Sequence, residues 1–120
     1  MHHAAQAYGK VAKLTSSPRD LEADLLLKAA ARLQAISDNW DTQAREASDA
    51  LLYNRKLWSI FLTSVTRPDN PLPEQVRQNV ANLGVFVMNQ TISLMTEPQR
   101  EKLGPLININ RELAAGLMGR

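Results

Sequence analysis

Gln78-Asn79-Val80-Ala81-Asn82-Leu83-Gly84-Val85-Phe86-Val87-Met88-Asn89-Gln90-Thr91-Ile92-Ser93-Leu94-Met95-Thr96 is a run of nineteen residues without a single Asp, Glu, Lys or Arg. Advanced by about 100° per residue, Val76, Val80, Leu83, Val87 and Leu94 form one apolar seam. Ala81, Val85, Met88, Ile92 and Met95 form a second seam about 140° round from it, and Gln78, Asn82, Asn89 and Ser93 fill the polar wedge that is left. The run therefore reads as a helix that is apolar on more of its circumference than the outside of a small bundle needs. Its amides, among them Gln78, Asn79, Asn82, Asn89 and Gln90, make it too costly to insert as a membrane span despite its length.

The stretch Tyr53-Asn54-Arg55-Lys56-Leu57-Trp58-Ser59-Ile60-Phe61-Leu62 behaves in the same way. Ala47, Leu51, Trp58, Phe61, Leu62 and Val65 form a main face, and Tyr53, Leu57 and Ile60 a smaller one. Asn54 falls inside the main face, in the rhythm of Leu51 and Trp58. A buried amide without partners costs about 1–3 kcal/mol, so Asn54 is expected to fix helix register or to anchor a loop carbonyl. Arg55 beside it is placed either to clamp the following turn or to meet an acidic group on a partner.

Punctuation is helical from end to end. Ser17-Pro18-Arg19-Asp20 supplies a capping serine, a proline at the first helical position and a carboxylate three residues after the cap, and Leu21, Leu25, Leu26, Ala29, Leu33, Ile36 and Trp40 continue one face. That helix ends near Ser37 to Asn39. The next starts around Asp41-Thr42 and stops before Thr66-Arg67-Pro68-Asp69-Asn70-Pro71-Leu72-Pro73, which must be an extended turn. Pro73 restarts a helix at its first position, running to about Met95. Thr96-Glu97-Pro98-Gln99 then caps a short helix closed by Gly104, and Pro105 opens the last one, with Leu106, Ile109, Leu113 and Leu117 before Gly119 ends it. Ahead of Ser17, Ala5 to Leu14 has the makings of a short helix with Tyr8 and Val11 inward. No β-alternating run occurs.

The expected fold is all-α, a single compact bundle of about five helices forming one domain over residues 1–120, with 1–7 a frayed terminus. Its expected core includes Leu25, Leu33, Leu51, Asn54, Trp58, Phe61, Val80, Leu83 and Val87. Two seams need two partners. Either both central helices have neighbours on two sides, or one seam stays open as a groove for an amphipathic helix of another protein. In the second case Val85, Met88, Ile92 and Met95 would form the groove, with Arg55 and Tyr53 beside it; methionine adapts to varied partners but also fills cores.

Chemistry is sparse by comparison. The absence of cysteine excludes disulfides, thiolate metal sites and thiol nucleophiles, and fits a reducing compartment, so cytoplasm is the expected location. The N-terminus lacks the basic start and long apolar core of a signal peptide. His2 and His3 are the only histidines and sit at the terminus, the acidic residues are scattered, and no glycine-rich phosphate loop exists. No catalytic, metal or cofactor residue is expected, and the chain is read as a non-enzyme. A net charge of +2 from 14 basic and 12 acidic residues is spread along the chain, without the basic stripe that tracks phosphates, so direct nucleic-acid binding is not expected.

Three elements carry a family resemblance. They are Ser17-Pro18-Arg19-Asp20-Leu21-Glu22-Ala23-Asp24-Leu25-Leu26-Leu27, then Asn54-Arg55-Lys56-Leu57-Trp58-Ser59-Ile60-Phe61, then Asn70-Pro71-Leu72-Pro73 with Val76-Arg77-Gln78-Asn79-Val80-Ala81-Asn82-Leu83-Gly84-Val85-Phe86-Val87. In order and spacing, from Tyr8 to about Leu117, the chain resembles the FlaF family of flagellar biosynthesis regulators from alphaproteobacteria. The resemblance implies a cytoplasmic accessory of flagellar assembly, needed for flagellin to accumulate and be exported, acting with or against the flagellin regulator FlbT, with no enzymatic activity and no cofactor. Flagellin, through its terminal helical segments, is the expected partner, and FlbT a further one. Two rivals stay open: a regulator acting on flagellin mRNA, which would need a basic face, and an antagonist that touches FlbT and never flagellin. Replacing His2 and His3 together by alanine should leave motility unchanged in a swarming assay; a non-motile strain would give the terminal pair a role that their spacing does not suggest.

Overall fold

Proline and amide side chains set most of the helix boundaries. The computed structural model, which describes residues 18–119, contains four long helices: α1 (Pro18–Asp38), α2 (Ala47–Val65), α3 (Glu74–Thr96) and α4 (Leu103–Leu117). A helical turn at Trp40–Gln43 and a 3-10 turn at Ala44–Glu46 lead into α2, and a second 3-10 turn at Arg100–Lys102 leads into α4. No strand occurs among the described residues. The expected fifth helix is corrected: Gly104 closes nothing, because the 3-10 turn runs directly into α4. Pro105 is the third residue of α4, still in the first turn, where its missing N–H has no helical partner to lose. Pro73 stands one position outside α3 as its N-cap, with extended backbone at ψ 147°. Ser17, the segment Ala5–Leu14 with Tyr8 and Val11, and the His2-His3 pair lie outside the described residues.

The Asn70-Pro71-Leu72-Pro73 turn is tied down by its own amide. Asn70 Nδ2 donates to the Ser64 carbonyl and to Ser64 Oγ, both at 3.1 Å, while Asn70 Oδ1 accepts from the Leu72 N–H at 2.9 Å. One side chain thereby occupies a carbonyl of the last turn of α2 and sets the direction in which the chain leaves for α3. Arg77 on α3 reaches back to the Arg67 carbonyl at 3.4 Å. Arg55 takes no part in this clamp; it is exposed.

Packing is pairwise. α1 lies chiefly against α4, α3 chiefly against α2, and contact between α1 and α2 joins the pairs into a body of 43 × 41 × 23 Å, about two helix diameters thick. Leu26, Leu33, Leu51, Trp58, Val87, Leu94, Leu103 and Leu106 are fully enclosed. On α1 the buried stripe runs Ala23, Leu26, Ala29, Ala30, Leu33, Ile36. Three alanines in this stripe permit close approach of the neighbouring helices and draw the contact line toward themselves. Leu25, expected in the core, lies off that line and is 39% exposed.

Between α2 and α4 the core is polar at one point. Trp58 Nε1 donates to Asn110 Oδ1 at 2.9 Å and Asn110 Nδ2 donates to Asn54 Oδ1 at 2.7 Å, with all three side chains sealed from solvent. Sliding either helix by one residue would strand these groups, so the chain of bonds fixes the register of α2 against α4. Asn54 Nδ2 has no partner, a cost of about 1–3 kcal/mol that the rest of the core offsets.

Helix α3 meets α2 through Val80, Gly84, Val87, Thr91 and Leu94, at spacings of four, three, four and three. A Cβ at Gly84 would sit 2.8 Å from Leu62 Cγ and closer still to its Cδ2, so the absence of a side chain lets the two helices approach here. The buried line centres on that contact. Leu83, expected in the core, lies about 100° round from Gly84 and is 37% exposed. Gly84→Val should therefore lower stability by about 1–3 kcal/mol, and Leu62→Ala in the same chain should recover part of the loss, as measured by urea unfolding. Strictly additive losses would show that the two residues do not share this space.

Candidate partner-binding surface

Because α3 is packed mainly against α2, its remaining circumference faces outward, and it carries apolar side chains on either side of an exposed polar strip that includes Asn82, Asn89 and Ser93. Val85 is 59% exposed, Ile92 47% and Phe86 45%, and Val76 and Leu83 are exposed on the flank opposite Val85 and Ile92. Half of the exposed large hydrophobic residues described for the protein lie on this one helix. Met88 and Met95 are half-buried and, with Ala81, pack against the core from the edge of the contact. The second seam is thus neither closed nor wholly free: Met88 and Met95 form its inner edge, Val85 and Ile92 its outer one.

The other expected site residues divide. Arg55 lies seven residues before Leu62, two helical turns, and so on the side of α2 that receives α3; its side chain is exposed. Tyr53 lies nine residues before Leu62, two and a half turns, which puts it on the opposite side of α2 from Gly84, in line with the exposed Ile60. Helical phase thus puts Arg55 on the side of α2 that faces α3 and Tyr53 on the opposite side.

Phe86 and Leu83 belong to the exposed surface and were not assigned to it by seam counting. A signal for them exists in the sequence. A glycine at the middle of a long neutral helix marks a close backbone approach, and centring the buried face on Gly84 turns both residues outward.

A second concavity, about 710 Å³, lies where the proline-rich turn meets the start of α1 and the end of α4. Its walls include Val65, Leu72, Leu117 and Met118, with Glu22 and Arg19 at α1. Burial pushes the Glu22 carboxyl above its ordinary value, against the opposing pull of Arg19. No group of three or more His, Cys, Asp or Glu among the described residues is placed to hold a metal ion. No helix among them is long and apolar enough to cross a membrane.

The family model described as flagellar protein FlaF matches residues 4–117, reaching slightly further toward the N-terminus than the resemblance read from Tyr8. Comparison with curated proteins and with solved structures gives no match.

Glu22 gives a pH test of the turn region. A carboxyl whose folded pKa is raised binds its proton more readily in the folded state, so its contribution is favourable at low pH and is lost as pH rises from the ordinary carboxylate value through the raised one. Glu22→Gln should remove that loss, so that its Tm falls less than the parent's across this window. An unchanged pH profile would mean that Glu22 is as well hydrated folded as unfolded.

Proposed function

The chain belongs to the FlaF flagellar protein family, and from that premise we propose that it binds flagellin in the cytoplasm as a secretion chaperone or adaptor, working with FlbT. Flagellin accumulation and export would then depend on it. The observation that carries this reading is the outer face of α3, where Val85, Phe86 and Ile92 are presented to solvent. Large apolar side chains exposed together along an uncharged helix mark an interaction site. A secreted subunit has segments that are not yet folded before assembly, and an amphipathic helix among them needs a cover. Burial on α3 would contribute about 25 cal/mol per Å² of apolar area, less the cost of ordering the bound segment.

Co-purification separates this reading from its rivals. The chain should retain full-length flagellin and lose flagellin that lacks its terminal segments; retention of FlbT alone would support an antagonist in its place. Within the complex, Ile92→Glu should leave Tm within a few degrees, because the position is exposed, and weaken flagellin binding by about tenfold or more. Full-strength binding by a folded Ile92→Glu chain, measured by titration calorimetry, would remove this face from consideration.

A further inference from the structure

After its first turn, with Glu74 and Arg77, α3 differs from every other long helix in carrying no charge. α1 exposes Lys28 and Arg32, α2 exposes Asp49 and Lys56, and α4 exposes Arg111 and Glu112. Along α3 the charge of Arg77 is followed by none until Glu97, beyond the helix end. At 1.5 Å per residue the neutral stretch is about 27 Å long, enough to seat five turns of a partner helix.

Its polar groups are amides and hydroxyls, and they divide along the length. Toward the N-terminal end Gln78 Nε2 donates to Asn82 Oδ1 at 3.1 Å, and Gln75 Nε2 to Asn79 Oδ1 at 3.1 Å, so these amides pair along their own helix. Toward the C-terminal end the Asn89 and Ser93 side chains form no hydrogen bond within the described residues. By helical phase Asn89 lies between the Ile92 and Val85 flank and Phe86. A partner that covers the apolar flanks therefore also covers an amide that needs a donor or acceptor. A partner charge laid on the same strip would be desolvated with no opposite charge on that stretch of α3 to meet it.

Resting on the flagellin-binding reading above, we propose that the outer face of α3 takes one helical flagellin segment whose contacting stripe is uncharged, made of apolar residues with amide or hydroxyl groups opposite Asn89. Recognition then depends on shape and amide hydrogen bonding. Helices with a charged contacting stripe are rejected by the desolvation they would suffer.

The test is a pair of opposite charges at one exposed position, Asn89→Glu and Asn89→Lys, each titrated with full-length flagellin at 0.05 and 0.5 M salt after circular dichroism confirms the parent fold. Both variants should weaken binding by about tenfold or more, and parent affinity should vary by no more than about twofold with salt. If one charge weakens binding and the other strengthens it, the contacting stripe is charged and the proposal falls while flagellin binding stands. If flagellin binds both variants at parental strength, the segment sits elsewhere, with the same consequence. Conversion of a dimeric parent to monomers by both variants, seen by sedimentation, would assign the face to a second copy and overturn the proposal. No flagellin binding by the parent chain would overturn the earlier reading, and this one with it.

Discussion

Gly84 against Leu62 is the contact on which the functional geometry depends. One missing Cβ lets α3 close onto α2, and the turn-by-turn line Val80, Gly84, Val87, Thr91, Leu94 follows from where that closest point lies. A helix held on one side must present the other. What α3 presents is set by its phase relative to Gly84: Met88 and Met95 at the edge, Val85, Phe86 and Ile92 outside. Rotating the helix by one residue would carry Gly84 away from Leu62 and turn one of its exposed flanks toward α2.

The frame that carries this helix is built from amides at unusual depth. Trp58, Asn110 and Asn54 form a hydrogen-bonded chain across α2 and α4, and Asn70 ties the turn between α2 and α3 to the end of α2. Asn54, Trp58 and Asn70 lie in the Asn-Arg-Lys-Leu-Trp and Asn-Pro-Leu-Pro elements that carry the family resemblance, and Asn110 lies outside them. The motifs thus act on register and chain direction, while the surface offered to a partner is made by less distinctive neutral residues. Asn54 fixes α2 against α4, Asn70 sets the direction in which the chain leaves for α3, and α3 itself supplies the face.

Much of the fold was legible in the sequence because helices announce their ends. Pro18, each proline of the cluster from Pro68 to Pro73, and Gly119 lie within three residues of a helix end. Leu25 and Leu83 were misplaced for one physical reason: seam counting weights large apolar residues, whereas the real contact lines centre on small ones, the alanines of α1 and Gly84 of α3. Small residues set interhelical distance, and distance decides which neighbours are covered. Gly104 misled in the opposite direction, since a glycine next to proline reads as a helix stop and here sits in the first turn of α4. The candidate surface was half legible. Val85 and Ile92 emerged from periodicity, Phe86 and Leu83 required knowing which side α2 takes, and the separation of Tyr53 from Arg55 required the hairpin itself.

Backbone and methyl chemical-shift mapping of the isotopically labelled full chain, titrated with unlabelled flagellin, tests the central claim most directly. Leu83, Val85, Phe86, Asn89 and Ile92 should show the largest perturbations, fading toward Met88 and Met95, with the outer residues Lys28 and Arg32 of α1 unmoved. Perturbations concentrated on α1 or around the cavity at Glu22 and Leu72, with the outer face of α3 silent, would contradict it.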